Sequence, residues 1–184
     1  MNLDFHTALA LATTLFAALS LRWSRRADRR AHEAQGLSVR AAAAADLADA
    51  LHRLRPLTRH ADVAPVNAGQ VAKAMQDFED LAERHRFTLP PHLAAIQREV
   101  RAAMGNCFGA PGWAGLGMRL ADQQLATFDP HWWDITHSYL NHVNFCLQDW
   151  RTAPTRRKPS KLTYFHAWRA DEDVAYFGYT RNFE

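Results

Sequence analysis

Residues 129–151 read Asp129-Pro130 and then HWWDITHSYLNHVNFCLQDWR, and this stretch decides the fold. An aspartate followed by proline is a helix cap followed by a first-turn residue that needs no amide hydrogen. Behind it, Trp132, Ile135 or Thr136, Tyr139, Val143, Cys146 or Leu147 and Trp150 recur every three to four residues, so they share one helical face. His137, Asn141, Asn144 and Gln148 form a polar stripe on the opposite side, either a solvated face or a docking surface for a partner.

The same periodicity extends toward the N-terminus. Pro90-Pro91 opens a helix whose apolar stripe is Leu93, Ile96, Val100, Ala103 and Met104. Asn67 with Gln70 three residues on is a capping-box pattern. Val71, Ala74, Met75, Phe78, Leu81, Ala82 and His85 then mark a helix to about Phe87. Leu47, Leu51 and Leu54 lie on one face of an Ala-rich helix over 37–55, which Pro56 is expected to end, leaving 56–66 as a loop. Residues 22–35 continue the N-terminal apolar stretch as a helix, with Gly36 as its stop. Between the third stripe and the opening stretch lies a glycine-rich turn, Gly105, Gly109, Gly112, Gly115 and Gly117, and then an expected helix over 118–128. Beyond it, 152–160 (TAPTRRKPS) is a linker. The final segment carries β-branched and aromatic residues that suggest a short hairpin or an extended aromatic tail laid on the bundle. The expectation is an all-α bundle of about four to five helices.

The N-terminus reads as a membrane anchor. Residues 7–21 (TALALATTLFAALSL) carry no charge. Fifteen residues give about 22 Å of helix and 21 residues, 3–23, give about 31 Å, against a hydrocarbon core of about 30 Å. Trp23 sits where an interfacial aromatic would, and arginines follow at once. A secretory signal or twin-Arg signal would carry its positive charge before the apolar run. A buried core helix would need both faces covered, because no polar stripe runs along 7–21. The positive-inside rule then places the chain in the inner (plasma) membrane as a single-pass protein, its N-terminal residues outside and 22–184 in the cytoplasm. The expected organisation is 1–23 anchor, 24–36 basic juxtamembrane helix, 37–151 helical bundle and 152–184 linker and aromatic segment.

Charge supports that division. The formal net charge of the 184 residues is +3, yet Arg22, Arg25, Arg26, Arg29 and Arg30 stand against Asp28 alone in nine positions. Removing those five arginines, Asp4 and Asp28 from totals of 22 and 19 leaves 17 basic and 17 acidic side chains over 31–184. A neutral domain behind a basic collar argues against nucleic acid as a partner, because phosphate binding needs a connected basic surface. The collar, Arg22, Trp23, Arg25, Arg26, Arg29 and Arg30, suits anionic lipid at the membrane surface instead.

Chemistry-bearing patterns are sparse. Two cysteines exclude a disulfide scaffold and a four-Cys zinc module. Gly112 to Gly117 has P-loop spacing, but Met118-Arg119 stands where Lys and Ser/Thr are required. His142 and Cys146 are i, i+4, with Asp149 beside them and Cys107 as a further candidate metal ligand. Zinc sites are usually made from two close ligand pairs, and only this one exists. His131, Asp134 and His142 are candidate acid–base groups. His131, Asp134 and His137 do not converge on an ideal helix, because 137 is rotated roughly 240° from 131. No nucleophile elbow, HExxH or paired-carboxylate motif occurs, and no cofactor is expected.

These readings make the leading expectation a membrane-anchored protein whose cytoplasmic helical domain binds another protein, through His137, Asn141, Asn144 and Gln148 or through Tyr164, Trp168, Tyr176 and Tyr179. The alternative is a membrane-tethered enzyme or metal-binding domain using His131, Asp134, His142 or Cys146.

Overall fold

The computed structural model describes residues 5–60, 66–108, 124–125, 130–153 and 157–177, the side chains of 5–15, 17–18, 59–60, 124–125, 130 and 173–177 excepted. The chain divides into two compact units, Met1–Val39 and Arg40–Glu184.

One helix, α1 (Phe5–His60), carries the boundary between the units. Two expected breaks are therefore absent, the stop at Gly36 and the end before Pro56. An interior glycine costs only about 1 kcal/mol relative to alanine, less than the helix formers around it supply. Pro56 and His52, whose carbonyl loses its helical partner to the proline, are both exposed, so the break falls on the solvent side of the helix and not in the core. In the first unit every described side chain from 19 to 39 is exposed. Among the described residues no helix is long and apolar enough to cross a membrane. Most side chains of the uncharged stretch 7–21 lie outside the described ones.

The second unit is an all-α bundle. Asn67 caps α2 (Ala68–Arg84), its Oδ1 accepting the Gln70 N–H at 3.1 Å, as its spacing predicts. The helix ends at Arg84, short of Phe87, and four turn residues follow. A 3₁₀ turn at Pro91–Leu93 leads into α3 (Ile96–Cys107), α4 runs over Pro130–Thr152, and α5 over Phe165–Phe177. The four stripes read from the sequence meet in one core. Leu47, Leu51 and Leu54 of α1 pack with Val71 and Phe78 of α2, Ile96 and Val100 of α3, and Ile135, Tyr139, Val143 and Leu147 of α4. Leu162 and Phe165 complete that core from the C-terminal side.

Two local expectations fail. Val66–Asn67 (β1) pairs antiparallel with Gln124–Leu125 (β2), Val66 opposite Leu125, so part of the expected 118–128 helix is strand. A short ladder satisfies backbone groups of both segments at once. The rest of 109–129, including the glycines from Gly109 to Gly117 and the Asp129 cap, lies outside the described residues, apart from those two strand positions. The C-terminal hairpin is replaced by an irregular segment over 157–164 and by α5. Phe165 and Trp168 are three apart and both pack on Tyr139, so tertiary contact overrides β-propensity.

Candidate functional site

Helix α4 gathers nearly all the chemistry-bearing candidates, and on one face they hold the C-terminal segment. His142 Nε2 accepts the Thr163 N–H at 3.1 Å, which places the ring proton on Nδ1. The ring stacks on Trp168, centroids 4.7 Å apart, and burial pushes its pKa below the ordinary value. One turn on, Cys146 Sγ lies 3.7 Å from His142 Nε2 and 3.8 Å from the Lys161 carbonyl. Asp149 Oδ2 accepts from Ser160 N–H at 2.6 Å and Ser160 Oγ–H at 2.8 Å, while Oδ1 takes Arg157 at 2.9 Å. Those Ser160 hydrogen bonds, ahead of the nearby arginine, hold its carboxyl below the usual range. Toward the N-terminal half of α4, Tyr139 Oη donates to the Thr163 carbonyl at 2.8 Å, and Ser138 Oγ accepts Trp168 Nε1–H at 3.1 Å.

Three of the four candidate metal ligands, His142, Cys146 and Asp149, are thus each engaged by residues 157–163. The fourth, Cys107, is buried in α3, and desolvation raises its thiol to about 12 although a hydrogen bond with Thr136 opposes the shift. Cys146 is raised to about 11, first by desolvation and then by the Asp149 charge. Among the described residues no three His, Cys, Asp or Glu side chains are grouped to hold a metal ion.

The acid–base candidates separate. His131 and Asp134, neighbours three positions apart, and His137, which an ideal helix rotates away from 131, line one cleft of about 410 Å³ with Ser138, Asn141 and Glu172 of α5. His142 is not among its lining residues. His137 stacks on Trp133, centroids 5.6 Å apart. Ser138 Oγ, the hydroxyl in this cleft, donates to the Ile135 carbonyl at 3.0 Å and accepts Trp168 Nε1–H, so it is not poised against a base.

The partner-surface candidates also divide. Asn141 Oδ1 accepts from Arg55 of α1, so this exposed part of the polar stripe is tied to the first helix. Asn144 and Gln148 are half-buried. Trp168 is spent on α4, whereas Tyr164 is 53% exposed. The Tyr176 side chain and all of Tyr179 lie outside the described residues. The collar residues Arg22, Trp23, Arg25, Arg26, Arg29 and Arg30 are exposed on α1, Arg29 pairing with Glu33 at 3.1 Å.

Two buried carboxylates went unread in the sequence. Glu79 of α2 takes a two-pronged contact from Arg101 of α3, clamping those helices. Glu99 of α3 accepts the Phe165 N–H at 2.8 Å on Oε2, capping the first turn of α5, and takes Arg98 on Oε1. Their signal was position. Glu99 is three residues after Ile96 and four before Ala103, and Glu79 four after Met75 and three before Ala82, so both sit on apolar faces. A charge there needs a buried partner.

Compared with known proteins, the chain matches no family model, no curated protein and no solved structure.

Proposed function

We propose that the protein is a single-pass membrane-anchored interaction module, its apolar stretch 7–21 in the inner membrane and its helical domain binding a partner protein in the cytoplasm. The observation that carries the reading is how the domain spends its reactive groups. His142, Cys146 and Asp149 are occupied by 157–163, the two thiols are raised well above neutral pH, and Ser138 is engaged on both its donor and acceptor sides. What the domain leaves at its surface is recognition chemistry, including Phe145 at 58% exposure and Tyr164. The collar Arg22, Arg25, Arg26, Arg29 and Arg30, with Trp23, supports lipid attachment and orientation.

The test is carbonate extraction followed by capture. The full chain is expected to stay with membranes at alkaline pH, with a C-terminal reporter on the cytoplasmic side. A defined partner should co-purify from detergent and be lost from a Phe145→Asp variant that keeps its helical content. Release of the chain into the supernatant overturns the anchor, and recovery of the bait alone overturns the interaction.

A second reading, a membrane-tethered enzyme, is favoured by the cleft that brings His131, Asp134 and His137 beside Glu172. Acid–base groups are gathered there, but a base-activated nucleophile is not found among the described residues.

A further inference from the structure

A second cleft, of about 520 Å³, lies between α3 and the start of α5 and is lined by Arg98, Glu99, Ala102, Tyr164, His166 and Ala167. We infer that it is a receptor for an arginine side chain presented by the protein partner, with Glu99 taking the guanidinium and Tyr164 covering its plane. This rests on the interaction reading above and names the chemistry of the partner.

The carboxylate comes first. The Glu99 side chain is only 5% exposed, yet Glu99 lines the cleft. A buried carboxylate reachable from outside attracts a cation more strongly than an exposed one, because less water screens it. Its Oε2 is fixed by the Phe165 N–H, so the group is oriented before anything binds. The ring of Tyr164 is the second recognition element, an exposed aromatic at the same cleft. Carboxylate below and aromatic face beside it, with alanines for walls, match a planar guanidinium on an apolar stem better than a strongly hydrated ammonium.

The domain already displays this chemistry with its own side chain. The Arg98 guanidinium sits 5.6 Å from the Tyr164 ring centroid, and its Nε and terminal nitrogen lie 2.8 and 2.7 Å from Glu99. Both contacts fall on one oxygen, Oε1, rather than forming a fork across two. The Arg98 side chain is 71% exposed, so it can turn out into water and leave Oε1 to another guanidinium of the same charge. Arg98 therefore marks where a partner's guanidinium goes and yields to it.

The full chain in detergent micelles, titrated with the capped tripeptide acetyl-Gly-Arg-Gly-amide, tests this by amide NMR. Arg98→Ala removes the internal competitor and is expected to bind the peptide about fivefold more tightly than the native chain, shifting the Glu99 and Phe165 amides. The peptide with citrulline, neutral but the same shape, should leave them unmoved, and Glu99→Gln should abolish binding while its side-chain oxygen still accepts from Phe165. A silent titration of folded Arg98→Ala overturns the inference, as does an equal response to citrulline or to spermidine. Should Arg98→Ala not fold, Tyr164→Ala decides, with weaker peptide binding expected and unchanged binding contrary. If a captured partner survives Tyr164→Ala and Glu99→Gln, the cleft falls and the interaction reading stands. Peptide binding with no partner recovered does the reverse.

Discussion

Burial holds the His142 imidazole below its ordinary value of 6.5, and its Nε2 can accept the Thr163 N–H only while unprotonated. The unfolded chain takes up that proton near 6.5, whereas the folded domain resists it. The stabilisation is therefore complete above pH 6.5 and is lost as pH falls through 6.5 toward the lower folded value. His92 is displaced in the same direction by desolvation and adds to the effect. Melting temperature should drop from pH 7.5 to 5, and the drop should be smaller in His142→Gln, which keeps an acceptor without titrating. A parallel drop in both proteins rules the histidine out as its source. His142→Ala, leaving the Thr163 N–H unsatisfied, should cost about 1–3 kcal/mol in chemical denaturation. The thiols give an independent residue-scale check. With Cys146 near 11 and Cys107 near 12, roughly one part in a thousand or less is thiolate at pH 8. Iodoacetamide should label neither until the domain is unfolded, and rapid native labelling of Cys146 counts against the placement of 157–163.

At the scale of elements, α1 is the helix most open to adjustment. A methyl group added at Gly36 meets nothing within 4 Å. Gly36→Ala should stabilise α1 locally by about 0.5–1 kcal/mol, read as slower amide exchange over 32–42. Slower exchange will not appear if that stretch is not helical in solution. The segment 157–164 is the opposite case, having no regular structure and being held by side chains. Asp149→Ala removes the acceptor for Ser160 and the partner of Arg157, so amides at Ser160, Lys161 and Thr163 should exchange at least about tenfold faster while those of α2 stay protected. Uniform loss of protection would make Asp149 a support of the whole bundle instead.

For the molecule as a whole, the sequence made visible what repeats and concealed what is joined at a distance. Val71, Met75, Phe78 and Ala82, like Ile96, Val100 and Ala103, are buried where their spacing puts them, because a helix in a core has to present one face. Gly36 and Pro56 were misread because breaker residues report local preference, and α1 continues when that preference is outweighed or the break falls on its solvent side. The hold on 157–163 was not legible, since it consists of pairs such as His142 with Thr163 and Asp149 with Ser160 whose members carry no shared period. Glu99 lay between these cases, conspicuous as a charge on an apolar stripe while its partner at Phe165 was not. In the core, Phe78→Ala should cost about 3–5 kcal/mol and lower the denaturant midpoint of the entire second unit, whereas a loss confined to α2 would mean that the bundle does not melt as one body.

The same pairings set a timetable for biosynthesis. Tyr139 precedes Phe165 by 26 positions, which at roughly 5–20 residues per second is an interval of about one to five seconds on the ribosome. Throughout it the aromatic and imidazole groups of α4 that Thr163, Phe165 and Trp168 will cover have no lining. A nascent chain stalled with α4 outside the exit tunnel and the residues after it still inside should recruit a hydrophobic-surface chaperone, and one extended until Phe177 has emerged should let it go.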